Sequence, residues 1–101
     1  MAEPDGLPEL DPIVHGKLRL AVLSLLVGVE DADFRWLREK TSSTDGNLGA
    51  NLAKLEEVKY IAVRKKFVAK KPNSLYKLTP AGRKALSSYI DALRKLLGAA
   101  L

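Results

Sequence analysis

A dense run of positive charge lies in the second half of the chain, in the stretch VRKKFVAKKPNS at residues 63–74. Its five cationic side chains fall within eight residues and are Arg64, Lys65, Lys66, Lys70 and Lys71. Lys and Arg on a protruding loop can bind phosphate oxygens without the geometry that base recognition requires, so they supply affinity rather than sequence specificity. The run therefore predicts contact with a phosphate-bearing partner.

A sheet edge or a membrane surface could also account for a cationic run. Edge strands of a sheet use lysines to prevent aggregation, which would account for two or three of these cations. An anionic membrane would also attract them, although binding to a membrane surface typically uses a basic amphipathic helix with bulky apolar side chains. Five cations in so short a stretch exceed the need of an edge strand, and we favour nucleic acid as the partner.

The distribution of charge along the chain favours an anionic partner as well. The 101 residues carry a formal net charge of +5. Residues 1–50 hold five Lys or Arg against nine Asp or Glu, whereas residues 51–101 hold twelve against three. Charge that served only solubility would mix both signs over the whole surface, so the basic second half is the part that we expect to meet the partner.

The inventory of reactive residues argues against an enzyme. The chain has no cysteine and one histidine, which speaks against thiol chemistry and a transition-metal site. It has no glycine-rich phosphate loop, and the neighbouring Glu56 and Glu57 would point about 100° apart on a helix. We therefore predict a protein with no enzymatic activity and no cofactor.

No feature of the sequence indicates export or a membrane. Residues 1–11 carry four acidic side chains and no Lys or Arg, unlike a signal peptide. The longest apolar run, at residues 20–29, is too short to span a bilayer. We expect a cytoplasmic protein with no membrane partner.

The first part of the chain predicts an arm followed by a central helix. Residues 1–10 hold two prolines and a glycine without periodicity, so we expect a flexible arm there and one domain over residues 11–101. A helix should begin near Pro12 and end by Gly28, and its nearly all-apolar surface requires burial in the core. Arg19 near its start needs an anionic partner that the sequence does not identify.

A helix-turn-helix pattern follows. Asp33 can cap a short second helix, residues 41–43 form a polar turn, and Thr44 can cap a third helix from Asp45 to about Val58. Three leucines make one apolar stripe along this third helix, at Leu48, Leu52 and Leu55.

The period of hydrophobicity then changes from helical to two. Residues 60–67 predict a strand, residues 68–73 a turn broken by Pro72 and Asn73, and residues 74–78 the returning strand. A further strand around residues 32–34 could pair with this hairpin. The hairpin carries the whole cationic run, so it would present that charge on a protruding loop.

A long amphipathic helix closes the chain. Thr79 and Pro80 are a capping hydroxyl and a first-turn proline, and the helix should extend to about Leu97 and end at Gly98. It is longer than so small a domain can cover, so part of its apolar face should meet a second subunit. The predicted fold is mainly α with a small β-hairpin (α+β), a winged helix-turn-helix with a long C-terminal dimerisation helix.

Three segments of the chain carry a family resemblance. They are LDPIVHGKLRLAVLSLL, TDGNLGANLAKLEEVKYIAVRKKF and KPNSLYKLTPAGRKAL. Together they resemble the winged-helix transcriptional regulators of the MarR/ArsR-like group, above all small single-domain bacterial and archaeal members with a TDGNLxxHLxxLE helix. The resemblance extends from about Leu10 to Leu97.

The resemblance implies a homodimeric transcriptional regulator that binds double-stranded DNA. The helix Thr44–Val58 would lie in the major groove with the hairpin along the backbone or minor groove, and the helix Pro80–Leu97 would form the dimer. After the DGNL motif such sequences often carry Ser, a large polar or basic residue and then His, where this chain has Gly49, Ala50 and Asn51. These small side chains imply poorer direct readout of bases.

The face of the third helix opposite its leucines is unusually small. Gly46 and Ala50 point outward there, and the amides of Asn47 and Asn51 on its flank suit adenine edges. Each helical glycine costs about 1 kcal/mol against alanine, which favours a role in close docking. The predicted DNA-binding residues are Ser43, Thr44, Gly46, Asn47, Ala50, Asn51, Lys54, Arg64, Lys66, Lys70, Lys71 and Asn73. The predicted dimer interface consists of Leu86, Tyr89, Ile90, Leu93 and Leu97.

Two alternative functions are consistent with the same residues. A non-specific, architectural DNA-binding protein would explain the small side chains at Gly49 and Ala50, and it would bind all duplexes alike. A winged-helix module that binds an acidic protein through its hairpin would ignore duplex DNA at moderate salt. The sequence does not indicate an effector ligand, a target site or the sign of regulation.

Overall fold

The computed structural model describes residues 8–100, with side chains described as far as Gly98. Its elements in chain order are α1 (Lys17–Val27), β1 (Ala32–Asp33), α2 (Phe34–Thr41), α3 (Asp45–Glu57), β2 (Ile61–Val68), β3 (Lys71–Leu78) and α4 (Pro80–Ala100). The α+β architecture and the order of elements agree with the sequence prediction. Most of the predicted arm, residues 1–7, lies outside the described residues.

Helix α1 is the centre of the core, as its apolar composition predicts. Val22, Leu23 and Leu26 are fully buried or nearly so, and α1 contacts α2, α3, α4 and β3. The prediction that α1 begins near Pro12 is wrong, because α1 begins at Lys17.

A turn before α1 takes the place of its predicted first residues. The Asp11 carboxylate accepts hydrogen bonds from the backbone N–H groups of Ile13 (2.8 Å) and Val14 (3.4 Å), which holds the chain in a local turn. Val14 is fully buried, and Leu10, which the sequence placed in the flexible arm, packs against the core. The segment before α1 is therefore part of the packed domain.

The predicted helix-turn-helix is present with both of its caps. Asp33 accepts a hydrogen bond from the backbone N–H of Trp36 (2.8 Å) to begin α2, and Thr44 accepts one from Asn47 (3.1 Å) to begin α3. Ser42 between the helices has the left-handed φ of 52° that often ends a helix. The three leucines of the α3 stripe are all buried: Leu48, Leu52 and Leu55.

The sheet has three antiparallel strands in the order β1-β3-β2, and β1 is the short additional strand that the sequence suggested. The β2–β3 hairpin, called the wing below, turns through Ala69 and Lys70, whose φ angles are 51° and 64°. Two adjacent positive φ angles are typical of the tightest hairpin turns.

The predicted six-residue turn of the wing is therefore wrong, because Pro72 and Asn73 lie within β3. Within the described residues, strand β1 pairs with β3 only at Leu75 and Tyr76, so no strand there covers the outer edge of β3 at Pro72. A proline at a free edge breaks no ladder hydrogen bond.

Helix α4 starts in direct contact with the backbone that leads into β2. The Thr79 hydroxyl accepts from the N–H of Gly82 (3.0 Å) and donates to the carbonyl of Lys59 (2.7 Å). A Cβ atom at Gly82 would lie 2.0 Å from the carbonyl oxygen of Tyr60. The predicted end of α4 at Gly98 is wrong, since the helix continues to Ala100.

Candidate nucleic-acid interface

The exposed face of α3 has the small side chains that the sequence predicts. Gly46, Asn47, Ala50 and Lys54 are exposed, and Gly49 is half-buried. A Cβ atom added at Gly46 or at Gly49 would meet no other atom within 4 Å. No contact within the described residues 8–98 requires glycine at either position, although each glycine lowers the stability of the helix.

Asn51 lies on the flank of this face, and both functions of its amide are occupied. Its Oδ1 accepts a hydrogen bond from Nη1 of Arg19 at 2.7 Å. Its Nδ2 donates to the backbone carbonyl of Asn47 at 2.8 Å and to the Asn47 Oδ1 at 3.1 Å. The amide of Asn51, which the sequence predicts to suit an adenine edge, is therefore hydrogen-bonded within the chain on both sides.

Arg19 is held in place from the other side as well. Its Nε donates to the carbonyl of Ile13 at 2.6 Å, and its Nη2 donates to the carbonyl of Pro12 at 3.3 Å. The anionic partner expected from the sequence is thus replaced by two backbone carbonyls and an amide oxygen. The turn before α1 and helix α3 are joined through this one guanidinium.

The start of α3 carries an acidic residue that is already paired. Asp45 accepts a hydrogen bond from Nη1 of Arg38 on α2 at 2.8 Å. This hydrogen bond, together with the charge of Asp45, raises the pKa of Arg38. Because Arg38 offsets its charge, Asp45 repels a nearby phosphate less than its sequence position suggests.

Two predicted DNA contacts lie at the same end of α3, at Ser43 and Thr44. The hydroxyl of Ser43 is hydrogen-bonded to that of Thr41 at 2.7 Å.

The strand register divides the cations of the wing between its two faces and its tip. Directly paired residues point to the same face, and the pairs Lys66–Asn73 and Val68–Lys71 place Lys66 and Lys71 together. Arg64 lies on that face too, with Nη2 3.8 Å from Asp31. The remaining predicted contact, Lys70, lies in the turn itself.

The tip of the wing also carries exposed apolar surface that the sequence analysis did not single out. The side chain of Phe67 is 76% exposed and that of Val68 is 51% exposed. Phe67 lies opposite Pro72 in the register, on the face that carries the buried Ile61 nearer the core. The alternation of β2 puts Phe67 on the same face as Ile61 but close to the tip of the wing, too far along the strand for the core to cover it. This position in the pattern was the signal in the sequence that Phe67 would be exposed.

The predicted dimer interface divides into a buried half and an exposed half. Leu86 and Tyr89 are buried in the core of the single chain, so the prediction that they face a partner is wrong. Their burial follows from the contact between α4 and α1. The exposed half, called the α4 patch below, comprises Ile90 (38% exposed), the half-buried Leu93 and Leu97 (49% exposed).

Away from these surfaces, two hydrogen bonds anchor the segment before α1. The Tyr60 hydroxyl donates to Oδ2 of Asp11 at 2.6 Å, and His15 Nδ1 lies 2.8 Å from the Tyr89 hydroxyl. Burial raises the pKa of Asp11, but the hydrogen bonds from Tyr60, Ile13 and Val14 outweigh it, so this pKa lies below its ordinary value of 3.8. The hydrogen bond to Asp11 raises the pKa of Tyr60 above 10.0, with burial and the Asp11 charge acting in the same direction.

Two further classes of site are not formed within the part of the chain that the structure describes. No three His, Asp or Glu side chains there are grouped so that they could hold a metal ion. No helix there is both long and apolar enough to cross a membrane. The exposed face of α3, the wing and the α4 patch are the surfaces to compare with known proteins.

Comparison with known protein families agrees with this architecture. The family model of the winged helix DNA-binding domain matches residues 18–97. The chain belongs to that family. The winged-helix domain also resembles the uncharacterized protein MJ0432 of Methanocaldococcus jannaschii, with 36% identity over 84 residues that cover 83% of this chain and 91% of the relative.

Solved structures share the fold of this winged-helix domain. The transcriptional regulator homologue protein from Pyrococcus horikoshii OT3 matches with a TM-score of 0.79 and 20% identity, over 87% of each chain. The protein ytfH from Salmonella typhimurium matches with a TM-score of 0.70 and 22% identity, over 81% of this chain and 72% of that chain. The predicted winged-helix fold is confirmed.

Proposed function

We propose that this winged-helix domain is a transcriptional regulator that binds specific sites on double-stranded DNA as a homodimer. The observation that carries the proposal is the pair of glycines on α3. Gly49 inside α3 lowers the stability of the helix by about 1 kcal/mol and Gly46 in its first turn by less, and no neighbouring atom in the described chain requires either glycine. A surface that must approach the floor of the major groove explains why they are small.

The remaining contacts divide between the end of α3 and the wing. Ser43 and Thr44 bind the backbone phosphates near the first turn of α3, and Lys54 binds a phosphate near its last turn. Arg64, Lys66, Lys70 and Lys71 bring positive charge to the backbone or minor groove beside the major-groove site, with Asn73 between them. Asn47 and Ala50 face the bases. This function also agrees with the cytoplasmic location predicted from the sequence.

The α4 patch supports a homodimer. Helix α4 has 21 residues and is about 32 Å long. Its side chains Ile90 and Leu97 are exposed and Leu93 is half-buried, so this face has apolar surface left to bury. A second copy of α4 supplies a matching apolar surface by two-fold symmetry. The two α3 helices of such a dimer would enter successive major grooves about 34 Å apart.

Selection from a pool of random duplexes at near-physiological salt tests this function directly. The retained DNA should be enriched in a two-fold symmetric motif whose half-sites are about one helical turn apart. Retention without enrichment would favour the architectural alternative, which the occupied amide of Asn51 makes the stronger of the two rivals. No retention would favour an acidic protein as the partner of the wing.

The role of the wing has its own test in the salt dependence of binding. Replacing Lys70 and Lys71 by Ala should reduce the slope of log affinity against log salt by about one unit for each phosphate that the wing no longer binds. The matched control replaces Lys84 and Lys95 on α4, which changes the net charge equally but lies outside the proposed interface. Equal slopes for the wing variant and the control would remove the wing from the DNA interface.

A further inference from the structure

The hydrogen bonds among Arg19, Asn51 and Asn47 form a chain whose direction is fixed by its first member. A guanidinium has only donors, so the atom of Asn51 that faces Arg19 at 2.7 Å must be its amide oxygen. The amide nitrogen of Asn51 must then face Asn47. The two Asn47 atoms that it contacts, at 2.8 and 3.1 Å, must both be oxygens.

The orientation of Asn51 in turn decides what Asn47 presents to the surroundings. With its Oδ1 turned toward Asn51, the Nδ2 group of Asn47 points away from the network. Asn47 is exposed, and its own backbone N–H is used by the Thr44 cap. The side chain of Asn47 therefore offers hydrogen-bond donors to anything that approaches α3.

We propose that Arg19, acting through Asn51, sets Asn47 to read a hydrogen-bond acceptor on a base edge, with guanine preferred. This inference rests on the proposed function, since it requires α3 in the major groove. Guanine presents two adjacent acceptors there, O6 and N7. Adenine pairs best with an asparagine that both donates to N7 and accepts from N6, whereas the Oδ1 of Asn47 is turned toward Asn51.

Arg19 and Asn51 are positioning residues in this proposal, because they act on the base only through Asn47. The chain of donors gives a role to Arg19, a half-buried cation in the first turn of α1. An amide or a hydroxyl at position 19 could present either a donor or an acceptor to Asn51, so only a donor-only side chain fixes the orientation. The carbonyls of Ile13 and Pro12 hold the guanidinium in place for this role.

The decisive variant is Asn51→Asp, which keeps an acceptor for Arg19 but removes the donor to Asn47. The amide of Asn47 should then turn its Nδ2 toward the new carboxylate and its Oδ1 outward. Preference at one base pair of each half-site should change from guanine to a base with a donor edge, adenine or cytosine. We expect a wild-type preference of roughly fivefold at that pair, the size of one good hydrogen bond.

Duplex selection with three variants carries out the test. Asn47→Ala identifies the base pair concerned, because preference should disappear there and be retained elsewhere. Lys70→Gln is the matched control for the charge change of Asn51→Asp. It should weaken binding to every duplex alike and leave the motif unchanged. An Asn51→Asp motif identical to that of the wild type, or an Asn47→Ala motif that keeps every preference, would overturn the proposal.

A measurement without DNA separates this proposal from the proposed function. In the free protein, the side-chain amide of Asn51 and the Nε–H of Arg19 should exchange slowly with solvent by nuclear magnetic resonance, and the amide of Asn47 should exchange fast. Fast exchange at Asn51 would overturn the network whatever the DNA results. Slow exchange of these protons in a protein that retains no DNA would establish the hydrogen-bond network. The same result would refute both the proposed function and the reading of guanine.

Discussion

Replacing Gly46 by Ala should raise the stability of the protein and lower its affinity for DNA. The added methyl group would meet no atom of the described residues within 4 Å, so the folded state accepts it without strain. The helix gains up to about 1 kcal/mol from the reduced flexibility of the chain. For a domain of this size such a gain raises the melting temperature by roughly 4–8 °C.

The same methyl group should interfere at a close contact between α3 and the floor of the groove. Overpacking by one methyl group costs about 1 kcal/mol or more, which corresponds to a roughly fivefold rise in the dissociation constant. Thermal unfolding measures the first effect. Fluorescence anisotropy with a selected duplex, at one fixed salt concentration, measures the second.

Gly98→Ala is the matched control for Gly46→Ala. Gly98 is also a helical glycine near a helix end with no described atom within 4 Å of an added Cβ, but it lies on α4, away from the proposed DNA contacts. It should raise stability and leave DNA affinity unchanged. If Gly46→Ala gained stability with the same DNA affinity as Gly98→Ala, α3 would not approach DNA closely at Gly46, and major-groove docking would be without its main support.

Three further predictions concern the dimer, the anchored turn and the start of α4. Leu97→Asp should convert the dimer to a monomer in light scattering, whereas Ser88→Asp on another face of α4 should not; a monomeric wild type would refute the interface. Tyr60→Phe should cost up to about 1 kcal/mol from about pH 5 to about pH 9 in urea unfolding. Because Asp11 has a lowered pKa, the difference in unfolding free energy should shrink as the pH falls below 3.8. Because Tyr60 has a raised pKa, the difference should also shrink above pH 10.0. A difference that stayed constant over the whole pH range would contradict the hydrogen bond between Tyr60 and Asp11. Gly82→Ala should cost about 3 kcal/mol, because its Cβ would lie 2.0 Å from the Tyr60 carbonyl oxygen; an unchanged urea midpoint would contradict this.

Local signals in the sequence were sufficient for most of the fold. The Asp33, Thr44 and Thr79 caps act through atoms within a few residues, so their residue types and spacing reveal them. The leucine stripe of α3 is equally visible because one face of a helix must be buried. Element ends that depend on contacts were predicted less well. Gly98 could end a helix, but α4 continues through it to Ala100.

Non-local contacts account for the errors in the predicted interfaces. Leu86 and Tyr89 belong to the same amphipathic stripe as Ile90 and Leu97, and periodicity alone cannot tell which part of a stripe the chain covers itself. That division depends on where α1 crosses α4. The partner of Arg19 was hidden for the same reason, since Asn51 lies 32 residues further along the chain.

If α3 binds specific DNA sites as proposed, its specificity depends on residues outside the helix. The small outward side chains of α3 can bring its backbone close to the bases, but they offer few groups that distinguish one base from another. Asn47 is the exposed amide on this face, and an isolated amide could rotate to suit either a donor or an acceptor. Specificity then requires that its orientation be fixed before DNA arrives. In the proposed network that constraint comes from α1, through a donor-only side chain that is itself held by the turn before the helix.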